Sequence, residues 1–169
     1  MLAVSAVAQA SALATPRIVG GAVADPHTYP FVLSLRSWGY GICGAGLLNA
    51  DWAITAAHCI EEGSSASQYS VAVHRHDLSI AESTDHHCSE TVAAAQVTVH
   101  PAYDKQSMDS DVALIRLSSS VRCISSIPTL VLDPGTAAST GAQAVVAGCT
   151  PPLHSNIPHE HERSPKRAA

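Results

Sequence analysis

Aromatic side chains are scarce: one Phe, two Trp and four Tyr, 4% of 169 residues. These are the side chains that bury the most area in a core, so the core is expected to be thin for the length. The 46% hydrophobic content is carried largely by 28 alanines. Charge is sparse as well, at 14% against roughly 25% in ordinary soluble domains. The net charge of −5 supplies no basic surface for a nucleic-acid partner. No stretch reaches the roughly 18 consecutive apolar residues of a membrane span, so no spanning helix is expected. The 169 residues are also too few for a fold that needs roughly 200–250 as a complete unit.

Residues 1–14 form an uncharged run of small and apolar side chains ending in Ala12-Leu13-Ala14. That ending suits a signal peptidase, and the run reads as a secretory signal, which makes the expected location extracellular. Five cysteines in a short chain behind such a leader favour disulfides over reduced thiols.

From Phe31 onward short apolar segments alternate with turn residues, and no segment keeps a helical period. Strands are expected at Phe31–Leu35, Ile42–Leu48, Trp52–Thr55, Tyr69–His74, Thr91–His100, Asp111–Leu117 and Gln143–Gly148. Alternation at Tyr69, Val71 and Val73 marks a sheet with one buried face. The fold class is therefore all-β, a single antiparallel Greek-key barrel. Ala56-Ala57-His58-Cys59 breaks the alternation and is expected to form one helical turn. Residues 150–169 hold four of the ten prolines, three of the ten histidines and five charges. Without periodic apolar positions they are expected to be a disordered tail.

Several motifs carry chemistry. Ile18-Val19-Gly20-Gly21 follows a stub at residues 15–17 that ends in Arg17. Thr55-Ala56-Ala57-His58-Cys59 places an imidazole, which can take a proton from a hydroxyl and return it. Asp111-Val112-Ala113-Leu114-Ile115-Arg116-Leu117 begins with a carboxylate able to orient that imidazole. His100-Pro101-Ala102-Tyr103-Asp104 and the stretch from Gly44 to Asn49 lie between. Together these resemble the trypsin- and chymotrypsin-like serine peptidases over about residues 17 to 148. The order His58 then Asp111 is that of the chymotrypsin type, not of the subtilisin type.

The resemblance implies the first barrel of a two-barrel fold over residues 18–149. It implies His58 as general base and acid, Asp111 as its orienter, and cleavage after Arg17 to free the Ile18 amino group. It also implies a Cys43–Cys59 disulfide. With Cys149 outside that plan, Cys88 and Cys123 remain as the second pair.

The family's serine in Gly-Asp-Ser-Gly-Gly does not occur in the 169 residues. The oxyanion donors and the specificity pocket that accompany it are likewise not expected here. Ser64, Ser65, Ser118, Ser119 and Ser120 lack the glycine setting of a nucleophile and read as loop serines. After Gly148, Cys149 stands where the family has Trp, and the likeness is expected to stop. The chain as given is therefore expected to be inactive. A protein or peptide would be its substrate only when a second barrel completes it.

The alternative is a non-catalytic homologue acting as a binding or decoy module. A binding module has no chemical need for His58, Asp111 and a cleavable Arg17–Ile18 bond, which counts against it. His74-x-His76, His86-His87-Cys88 and His159-x-His161 invite a metal, but no set has the four-ligand spacing of a zinc motif. Some family members bind calcium after the strand at Tyr69. Asp77, Glu82 and Asp85 stand in that region without aligning to a ligand set. No metal or other cofactor is expected.

Overall fold

The computed structural model describes residues 23–133 and 144–148. Among the described residues there are six strands: β1 (Val32–Ser37), β2 (Tyr40–Asn49), β3 (Trp52–Thr55), β4 (Tyr69–Val73), β5 (Glu90–Val99) and β6 (Ala113–Leu117). They close into an antiparallel barrel in the order β1-β2-β3-β6-β5-β4. The meander β1-β2-β3 is followed by a crossing that lays β4 beside β1, which is the Greek-key pattern. A second meander, β4-β5-β6, then closes on β3.

The alternation explains which face is buried. In β6, Ala113, Ile115 and Leu117 are buried while Leu114 and Arg116 are exposed. In β4, Tyr69, Val71 and Val73 point inward. Leu33, Leu35 and Leu47 complete the centre of a core with one aromatic residue, Tyr69, among its buried members. The aliphatic character of that core follows from the composition. Bulges in β1–β2, β2–β3 and β5–β6 bend the strands enough to close the barrel.

Local sequence sets the junctions. Trp38 and Gly39 both take positive φ, 51° and 83°, and make the two-residue hairpin between β1 and β2. His74 takes φ 53°, a left-handed conformation that ends β4 one residue before the sequence expectation. β6 begins at Ala113, not at Asp111. Ser110 is left-handed, φ 55°, and Val112 N donates back to its carbonyl at 2.7 Å, so the two preceding residues turn out of the ladder.

The expected strand at Gln143–Gly148 does not form within residues 144–148. The closed barrel uses both edges of each of its strands, leaving no edge to receive another. Instead Val145, Ala147 and Gly148 line an open cleft with Tyr29, Phe31 and Leu130. The Leu130 side chain lies so close over Gly46 that a Cβ there would overlap it. The expected tail, the leader, Arg17, Ile18 and Cys149 lie outside the described residues. Among the described residues no helix is long and apolar enough to cross a membrane.

Candidate active site

His58 and Asp111 are separated by 53 residues, and the sheet brings them together. β3 pairs antiparallel with β6, Thr55 opposite Ala113. His58 lies three residues after Thr55 and Asp111 two residues before Ala113, so both leave the same end of the barrel. The expected turn is a 3₁₀ turn at Ala57–Cys59. Ala57, its first residue, is buried, and the turn presents His58 outward.

Two attachments hold that turn. The disulfide Cys43–Cys59, Cα atoms 6.2 Å apart, ties it to β2. Thr55 Oγ1 donates to Gly44 O at 2.8 Å, one residue along β2 from Cys43.

Asp111 addresses His58 twice. Its Oδ2 lies 2.7 Å from His58 Nδ1, and its Oδ1 accepts from the His58 backbone N–H at 2.8 Å. The hydrogen bond from the His58 ring, followed by that from the His58 backbone, holds the Asp111 carboxyl below the ordinary aspartate range. An ionised carboxylate accepts and cannot donate, so the ring proton sits on Nδ1 and the lone pair on Nε2.

The ring is half exposed, at 49%, while the Asp111 side chain is 22% exposed. Nε2 is 3.5 Å from the disulfide sulfur of Cys59. The arrangement can therefore withdraw a proton from a hydroxyl brought to Nε2 and stabilise the imidazolium that forms.

Tyr103, from the loop between β5 and β6, lies near this pair. Burial, then the charges of Asp111 and Asp104, push its phenol above the ordinary value. Its hydroxyl meets Met108 Sδ at 3.7 Å. The two hydrogen bonds of Asp111 to the ring and backbone of His58, and the proximity of Tyr103, were not legible in the motifs. The only available signal was the position of Tyr103 in the His-Pro-x-Tyr stretch.

Several of the loop serines are committed locally. Ser64 Oγ bonds Glu61 O and the Tyr69 hydroxyl, and Ser65 caps a 3₁₀ turn. Ser120 Oγ donates to Asp51 Oδ1. Among the described residues no serine hydroxyl is hydrogen-bonded to His58.

The second disulfide joins Cys88 to Cys123, Cα atoms 5.8 Å apart. Both cysteine pairs are those expected. Ligand atoms of His86, His87 and Cys88, and of Cys43, His58 and Cys59, lie close together, but disulfide sulfurs offer no thiolate to a metal. The carboxylates after β4 serve a cation already in the chain. Arg75, its side chain 3% exposed, donates from Nε to Asp85 Oδ2 at 2.8 Å and from Nη2 to the carbonyls of Asp77 and Ile80. Glu82 Oε1 is 3.5 Å from Arg75 Nη1.

A family model described as Trypsin matches residues 18–164. Serine protease 1 of Rattus norvegicus is 32% identical over 132 residues, covering 78% of this chain and 49% of that protein. Trypsin of Xenopus laevis is 31% identical, with 78% and 50% covered. Serine protease 1 of Homo sapiens is 31% identical over 144 residues, with 82% and 54% covered. The chain spans about half the length of the curated relatives it matches. The match over the barrel and beyond it, with the His58–Asp111 pair at the barrel end, shows that the chain belongs to the trypsin-like serine peptidase family.

Proposed function

We propose that the chain carries the proton-transfer half of a secreted serine endopeptidase. The observation that supports this reading is the 2.7 Å contact between His58 Nδ1 and Asp111 Oδ2, with Nε2 of a half-exposed ring left to receive a proton. His58 is the general base and then the general acid. Asp111 holds its tautomer and stabilises the charged form. Two disulfides within the barrel agree with an oxidising, extracellular setting. Residues 1–14 act as the export signal. Cleavage after Arg17 frees Ile18 as the new amino terminus.

The substrate is a protein or peptide. Attack on its carbonyl needs a serine hydroxyl and oxyanion donors, which in this family accompany the Gly-Asp-Ser-Gly-Gly motif. Loss of a single oxyanion donor lowers turnover about 10²–10³-fold. The 169 residues by themselves therefore do not hydrolyse substrate, and a polypeptide segment bearing that motif completes the reaction.

The test is a serine-directed fluorophosphonate probe applied to the pure chain after cleavage at Arg17. No covalent labelling is expected. Stoichiometric labelling would overturn the reading, since it would place a working nucleophile within these residues.

A further inference from the structure

Ten histidines occur in the chain, and five of them gather at one place well apart in sequence from His58. His74 is the centre. It ends β4 in a left-handed conformation, and only 7% of it is exposed. Its ring stacks on His27 at 4.7 Å between centroids, nearly parallel, and meets His86 at 4.2 Å. His27 also meets His86 at 4.6 Å and His76 at 6.0 Å, and His87 packs on His86 at 4.1 Å. Three stretches contribute: the segment before β1, the turn after β4, and the segment before β5 that Cys88–Cys123 anchors.

Packing alone does not account for the residue type, because apolar rings would stack there without a polar atom to bury. His74 Nδ1 is buried with no hydrogen-bond partner, an arrangement that natural interiors avoid unless the atom has a task.

We propose that this cluster binds a divalent transition metal of the zinc class, with His74 as the buried ligand and His27 and His76 as the ligands that close over it. Neutral imidazole suits zinc, copper and nickel, whereas calcium and magnesium take oxygen donors. The nearby oxygen donors are engaged elsewhere: Asp85 and Glu82 face Arg75, and Asp85 also accepts from His76 N.

A metal needs lone pairs converging at about 2.0–2.1 Å, whereas stacked rings present faces to one another. Loading therefore turns rings. His76 is exposed and His27 half-buried, so these two are the rings that turn, while buried His74 provides the fixed point. His86 Nδ1 accepts from Cys88 N at 3.1 Å, which assigns that ring to positioning. The bound ion would link the segment before β1 to the turn after β4.

The test is calorimetric titration of the full chain with zinc chloride near neutral pH. One site is expected, and His27→Gln/His76→Gln should weaken it at least about tenfold. His74→Gln should do the same. If that variant fails to fold, the His27/His76 pair carries the test, since neither side chain is buried. Substituting His154, His159 and His161 together, or His58 alone, should leave the site unchanged. Absence of binding, binding that survives His27→Gln/His76→Gln, or binding lost with the three tail histidines would each overturn the proposal.

Discussion

His58 and His74 both stand just beyond the end of a strand, each near a half-cystine that a disulfide pins, yet the two imidazoles sit in opposite surroundings. His58 is half exposed and faces a carboxylate at 2.7 Å. His74 is buried among other imidazoles, with its Nδ1 unpartnered. Residue type therefore does not decide the role. An adjacent anion and open solvent prepare the first ring to accept and release a proton. Burial and like neighbours keep the second ring neutral.

The supports of the two regions can be broken separately. Arg75→Met leaves the Asp85 side chain, 4% exposed, without its counter-ion. A buried pair broken on one side costs roughly 3–5 kcal/mol, to be read by urea unfolding, with the loss centred on the His74 side. Replacing Cys88 and Cys123 by Ser opens a 35-residue span and should destabilise by about 4 kcal/mol. The same change at Cys43 and Cys59 opens a 16-residue span and should cost about 3 kcal/mol. Hydrogen exchange distinguishes the two: the first variant should loosen the segment before β5, the second the turn that carries His58.

The pH dependence of stability should separate the regions as well. His74 has a folded pKa of about 4 and an ordinary value of 6.5, so between those limits the unfolded chain binds the extra proton. Stability contributed there is complete above about pH 6.5 and is lost as pH falls toward 4. For Asp85, burial alone would raise the pKa, but Arg75 and the backbone donors of His76 and Asp77 hold it below 3.8. Asp111 is also depressed, so both contribute stability that is lost only at pH values under about 4. Chemical unfolding followed from pH 7 to 3 should show two descents, and His74→Phe should remove the upper one. An upper descent that survives His74→Phe would show that another group causes it.

Much of the barrel was legible because its strands alternate cleanly, as at Tyr69, Val71 and Val73. The His58–Asp111 pair was legible because short motifs carry both residues in order. The strand expected at Gln143–Gly148 failed because an apolar run states a preference for pairing and not whether an edge is available. The beginning of β6 was misplaced because a left-handed Ser110 leaves no mark in hydropathy. The gathering of His27 with His74, His76, His86 and His87 was hidden for another reason. His27 lies 47 residues before His74, and only closure of β1 on β4 brings their surroundings together.

The central claim is that Asp111 sets the His58 tautomer. Nitrogen NMR of the imidazole in the intact chain tests it most directly. The proton is expected on Nδ1, with a strongly hydrogen-bonded resonance that disappears in Asp111→Asn while the barrel stays folded. A His58 ring protonated mainly on Nε2, or one that Asp111→Asn leaves unchanged, would contradict it.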